Sequence, residues 1–231
     1  MQNKLYSAYP ELAGKTLNWL PMDTQKFFAQ NLKNQKHILD QYGWTTKSIK
    51  YEFNSDGFRT SEFKECDCVV FLGCSYTVGI GLPYQNTWPF LVAQELGLEC
   101  YNLGLAGGSM DSMYRIGSYW IKKLNPKLVI ALEPPSIRYE ILPYGNISIQ
   151  EQHVFENTIF TDLFRNEHNY ELNKQKNIAA LKTLHDNIVW LENDPDWFDE
   201  NHVDLARDLA HPGIQTNILI KEKALGFIDA K

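Results

Sequence analysis

The chain has 231 residues, of which 44% are hydrophobic and 22% charged, with a formal net charge of −6. That length suits one large domain or two small ones, and the composition is that of a globular protein, without the bias of a disordered or fibrous chain. The acidic balance argues against nucleic acid as a partner, because little counterion release would drive such an association.

The first residues, Met1 to Tyr6, lack the apolar stretch of a signal peptide. No run reaches the ~20 apolar residues of a membrane span. The expectation is a cytoplasmic protein with no membrane partner. Residues 1–50 are rich in Asn, Gln, Lys and Tyr and are expected to form a helical N-terminal extension packed on a main α/β domain over 51–231. The spacing predicts a helix from Asp23 to Gln41, with Phe27, Phe28, Leu32 and Ile38 or Leu39 inward and Gly43 as its stop. Trp19, Tyr42 and Trp44 could meet sugar rings if exposed, although burial is the commoner fate of such side chains.

From residue 67 the pattern alternates. Cys68–Leu72 is a short, continuously apolar run ending at Gly73, as in a strand buried on both faces. Trp88, Leu91, Val92 and Leu96 form a helical stripe closed by Gly97, and a second strand is expected at Glu99–Leu103. A second helix carries Met110, Met113, Tyr114, Trp120 and Ile121 on one side. Leu128–Leu132 is a third strand, Ile178, Leu181 and Leu184 mark another helix, and Ile188–Leu191 is a fourth strand. Strands alternating with helices predict a mostly parallel sheet with helices on both faces. Ligands in such sheets bind beyond the carboxyl ends of the strands, so the loops after Leu72, Leu103, Leu132 and Leu191 are the ones to examine. Cys66, Cys68, Cys74 and Cys100 do not form a zinc-finger spacing and read as free thiols, three of them in or beside apolar strands. No metal or cofactor is expected.

Three places could carry chemistry. Ser75 follows the first strand in Gly73-Cys74-Ser75-Tyr76-Thr77. It is not the G-x-S-x-G elbow, and a lone Ser after Gly is more often a turn or helix cap. Asn102 to Ser109, with Gly104, Gly107 and Gly108, follows the second strand. Its glycines could bring backbone N–H groups to a ligand, or simply make a tight strand-to-helix turn capped by Ser109 or Asp111. In Asp204 to Gly213, Asp208 and His211 are three apart; if the segment is helical they share a face, with Pro212 fraying the end at His211. A carboxylate beside an imidazole fixes its tautomer, while the plainer alternative is a helix-terminal His on the dipole. His202 lies among Asp196, Asp199, Glu200 and Asp204, a set better suited to a solvated loop than to a metal.

Taken together, these places resemble the SGNH (GDSL) hydrolase family. Gly73-Cys74-Ser75 is similar to its first block, with Cys74 where Asp is usual; Asn102 to Gly107 is similar to its second; Asp208-Leu209-Ala210-His211-Pro212 is similar to its last, Asp-x-x-His. Asn54 to Arg59 is similar to a segment of many members. The resemblance spans roughly residues 50–215. It implies a three-layer α/β/α sandwich with a flavodoxin-like sheet, and an esterase cleaving short acyl esters, such as O-acetyl groups on carbohydrate, without a cofactor. Ser75 would be the nucleophile, His211 the base and Asp208 its orienting acid; the N–H groups of Ser75 and Gly107 would form the oxyanion hole.

The third block, Gly-x-Asn-Asp, has no match: the third strand runs into Glu133-Pro134-Pro135-Ser136-Ile137-Arg138. Ser136 or Arg138 is then the candidate for the missing side-chain donor, whose loss costs about 10²–10³ in kcat. The missing Asn and Cys74 favour a rival, a weakly active or inactive glycan-binding module on the same fold; a third possibility is an O-acyltransferase.

Overall fold

The computed structural model describes residues 2–135, 137–141, 145–148 and 166–229. The N-terminal region contains α1 (Gln2–Leu5), β1 (Thr16–Leu17), α2 (Gln25–Asn34) and α3 (Lys36–Gln41), then β2 (Tyr51–Glu52), which pairs antiparallel with β1. The single helix expected over Asp23–Gln41 is two. Gln35 leaves helical geometry at φ −139° and closes α2 through its N–H to the Asn31 carbonyl, in a stretch where Asn31 and Asn34 are weak helix formers. Thr24 caps α2 by accepting from the Phe27 N–H. Leu39 and Trp44 are buried as part of the main core, whereas Phe27, expected inward, is exposed.

The central sheet comprises β3 (Cys68–Leu72), β4 (Glu99–Asn102), β5 (Leu128–Leu132) and a last strand at Ile188–Leu191. Between them run α4 (Ser75–Val78), α5 (Trp88–Leu96), α6 (Met110–Leu124), a hairpin of β6 (Arg138–Ile141) and β7 (Gly145–Ser148), and α7 (Glu167–Lys182). The Ile188–Leu191 strand is β8, followed by α8 (Pro195–Asn201) and α9 (Ile214–Asp229). All four sheet strands are parallel, in the order β4-β3-β5-β8. Counted by appearance within the sheet this is 2-1-3-4, the flavodoxin-like order. The parallel sheet with helices on both faces, predicted from the alternation, is therefore observed, as is the three-layer arrangement that the resemblance implies.

Alternation along each strand feeds two cores. Cys68, Val70 and Leu72 of β3 and Val129 and Ala131 of β5 join α6 and the N-terminal region on one face. Val69, Phe71, Leu128 and Ile130 join Trp88 and Val92 of α5 and Ile220 and Ala224 of α9 on the other. On α6, Met110, Met113, Trp120 and Ile121 are buried as expected, but Tyr114 lies off that stripe and is 40% exposed. The Cys74 side chain and both strand cysteines are buried, and all four thiols are free. Burial raises the Cys68 and Cys100 thiols to about 12. Among the described residues no helix is long and apolar enough to cross a membrane.

Candidate active site

Ser75 stands where β3 ends and α4 begins, beside the β3/β5 position at which the strand order reverses. Gly73 makes the approach possible: a Cβ there would lie 2.1 Å from Thr77 Oγ1 and 3.1 Å from the Leu132 carbonyl oxygen. Ser75 is only 9% exposed, yet it lines a cavity of about 110 Å³ with Cys74, Tyr76, Glu133, Arg138, Asn193 and Phe198 among its walls. These residues come from the segments that follow β3, β5 and β8, three of the four strand ends expected to matter in a sheet of this kind. As the first helical residue, Ser75 leaves its N–H without an intrahelical partner.

Asp208 and His211 meet, but not on a helix. The segment turns back on itself: Leu205 bridges to Pro212, the Ala206 N–H donates to the His211 carbonyl at 2.8 Å, and Leu209 takes a left-handed φ of 56°. Asp208 Oδ1 accepts from the N–H groups of Ala210 (3.1 Å) and His211 (3.0 Å), and such short-range side-chain bonds compete with helix. Pro212 adds its restriction on the preceding residue, and α9 starts only at Ile214. Asp208 Oδ2 then lies 2.5 Å from His211 Nδ1, with the carboxylate fully covered. Burial pushes the Asp208 carboxyl up, but the His211 ring and the two N–H donors outweigh it and leave the group below its ordinary value.

This turn packs against the segment that Ser75 begins. The Arg207 N–H donates to the Gly81 carbonyl at 3.1 Å, and the His211 ring meets the edge of Tyr76 at 5.9 Å between centroids. Gly81 has φ +75°, and a Cβ on it would sit 2.7 Å from Ala206 Cβ and 3.0 Å from the Arg207 nitrogen. The Asn54–Arg59 motif supports the same place. Asn54 Oδ1 folds its turn by accepting from the Asp56 and Phe58 N–H groups. Buried Arg59 then donates to the carbonyls of Val78, Gly79 and Leu82. On the far side, Asp204 seats the turn on α9 by accepting from Gln215 N, Thr216 N and Thr216 Oγ1, each at 2.9 Å.

Tyr76, the residue after Ser75, meets the His211 ring, but Ser75 Oγ and that ring share no hydrogen bond, and His211 is not among the walls of the Ser75 cavity. Gly107 has φ +70° and is exposed, with open space where a Cβ would stand, and its N–H bonds to none of the described residues. It is not a wall of the Ser75 cavity. Arg138 is one: its guanidinium lies 3.5 Å from the Gly108 carbonyl, linking the cavity to the glycine loop. Ser136 lies outside the described residues. Ser109, weighed as a cap, does cap α6, exchanging hydrogen bonds with Ser112.

Sequence reasoning missed Asn193, Tyr76, Phe198 and the environment of Glu133. Glu133 is buried at the cavity, held by Lys174 Nζ at 2.9 Å and Trp190 Nε1 at 3.1 Å. The one signal for Asn193 was its place in the loop after β8, at the carboxyl end of the sheet. Of the aromatics that could have met sugars, Trp44 is buried and Trp19 lies under Arg207.

No known family profile matches the chain, and no curated protein does. Among solved structures the chain is similar to a protein assigned as lipolytic, of the G-D-S-L family, from Desulfitobacterium hafniense: 16% identity over 69% of this chain and 98% of that one, with a TM-score of 0.40. It is also similar to a protein assigned as a GDSL-like lipase from Bacteroides ovatus, at 13% identity over 80% of this chain, with a TM-score of 0.38, and spans only 57% of that protein's length.

Proposed function

We propose that the protein is an SGNH-type ester hydrolase acting on short acyl esters through Ser75, His211 and Asp208. The observation that carries this reading is the covered Asp208–His211 pair, 2.5 Å apart, in a turn packed on the segment that Ser75 begins. His211 Nε2 takes the Ser75 proton as Oγ attacks the ester carbonyl carbon. Asp208 accepts the Nδ1–H and stabilises the imidazolium. The proton passes to the departing alcohol, an acyl-serine forms, and water attacks it with His211 again as base, releasing the acid and free Ser75. The N–H group of Ser75 is the backbone donor for the oxyanion, with Arg138 and Asn193 as side-chain donors at the cavity. The cavity of about 110 Å³ has room for roughly four water-sized groups, which suits an acetyl.

The test is hydrolysis of an aryl acetate by wild type and Ser75→Ala. Turnover by the first and not the second is expected; equal rates would remove Ser75 from the chemistry. The lack of a hydrogen bond from Ser75 to His211 and the carboxylate of Glu133 at the cavity favour a second reading, a glycan-binding module. That module would bind sugar without reacting with a serine-directed phosphonate, whereas the hydrolase takes up one equivalent at Ser75.

A further inference from the structure

Hydrogen bonds within the Asp208–His211 turn set its shape, with Leu209 left-handed, whereas its position against the Ser75 segment depends on contacts from outside it. Much of that imposition comes from the N-terminal region. Asn31 Nδ2 donates to the Asp208 carbonyl at 3.3 Å. Trp44 Nε1 donates to the Leu205 carbonyl at 2.8 Å. The Asp23 carboxylate accepts from Arg207 Nε at 3.0 Å and Nη2 at 2.6 Å, and it also accepts from the Tyr51 hydroxyl. Tyr51 in turn accepts from the Gly81 N–H at 2.8 Å, which joins the network to the loop beyond Ser75. Arg207 is fixed further by the Asn18 carbonyl at 2.8 Å and by the Trp19 ring, 4.0 Å from its centroid. Asp23 and Arg207 are both buried. Desolvating a charge pair costs enough that such pairs are a poor source of stability; their geometry is what they supply.

We infer that Asp23, Asn31 and Trp44 are positioning residues. They hold the Asp208–His211 turn in register with the Ser75 segment, and the catalytic part of this inference rests on the hydrolase reading above. The three contacts are spread over residues 205–208, so they fix the turn in translation and in rotation. None of the three residues needs to touch substrate.

The test uses the full chain carrying Asn31→Ala with Trp44→Phe, which deletes two hydrogen bonds and keeps an aromatic ring in the core. Two quantities are read: kcat and KM for an aryl acetate, and amide hydrogen exchange over residues 204–213 and 68–72. The expected result is a fall in kcat of about tenfold or more, since small misplacements of catalytic groups are costly, with KM within about twofold. Exchange should quicken over 204–213 and stay as in wild type over 68–72. Unchanged exchange over 204–213, or unchanged kcat despite faster exchange, overturns the inference. If wild type neither hydrolyses the ester nor takes up the phosphonate, the hydrolase reading fails by itself. The positioning of the turn is then decided by exchange: faster exchange sustains it and unchanged exchange overturns it. Should the double variant not fold, Asn31→Ala alone carries both readouts.

Discussion

Replacing Asp208 by Asn exchanges one carboxylate oxygen for an NH₂ and should disable the site. In the native turn one carboxylate oxygen accepts from two backbone N–H groups and the other faces His211 Nδ1 at 2.5 Å. Asn has only one oxygen. Turning it to the ring would leave its NH₂ against two N–H donors, each unpaired at about 1–3 kcal/mol. The amide therefore keeps its oxygen on the backbone and points NH₂ at the ring. Nδ1 must then be the acceptor, which puts the proton on Nε2, the nitrogen that receives the Ser75 proton in the proposed mechanism. A wrong tautomer of this kind costs about 10⁴ in kcat, or about 5 kcal/mol at about 1.36 kcal/mol per decade. The assay is steady-state hydrolysis of an aryl acetate, with wild type and variant matched by circular dichroism. KM should move little, because the ring reaches the ester only in the reaction. A variant keeping more than about a tenth of the wild-type kcat would refute the assignment of Asp208.

Three further outcomes are expected. Gly81→Ala puts a side chain on a left-handed residue and against Ala206 and the Arg207 nitrogen, so it should lower stability by about 2–4 kcal/mol, read as an earlier urea midpoint at unchanged m-value. The Asp208 carboxyl is held below its ordinary value, so the stability it contributes is complete above the carboxylate range and is lost as pH falls through the lowered folded value. The gap in urea midpoint between wild type and Asp208→Asn should accordingly narrow from about pH 7 to about pH 3; a constant gap would contradict this. Cys68 and Cys100, buried and with thiols raised to about 12, should resist a charged disulfide reagent at about pH 8 in the folded protein and react in urea.

The strands were legible because burial on both faces writes them as unbroken apolar runs: Cys68–Leu72, Leu128–Leu132 and Ile188–Leu191 are the observed limits. The alternation of strands with helices then pointed to the carboxyl end of the sheet, where Ser75 lies, while the strand order was implied by the resemblance and not by the runs themselves. The closeness of Asp208 and His211 was legible too, though for another reason than helical spacing: a side chain bonding its own backbone, and a proline after His211, make a turn that yields the same neighbours. Phe27 and Tyr114 show the limit of periodicity, since an apolar stripe states what could be buried and tertiary packing selects from it. Asn193, Glu133 and the contacts of Asp23 were not legible, because each depends on a partner from a distant part of the chain.

The contact between Asp23 and Arg207 closes a loop of 184 residues. Closing a loop that long is entropically costly and is repaid only after much of the chain between is already compact. Refolding should therefore be ordered in time, with the parallel sheet recovering its circular dichroism first and the proposed ester turnover reappearing in a later, slower phase. The lag between those two signals measures how long the molecule exists as a formed scaffold before the Asp208–His211 turn is seated.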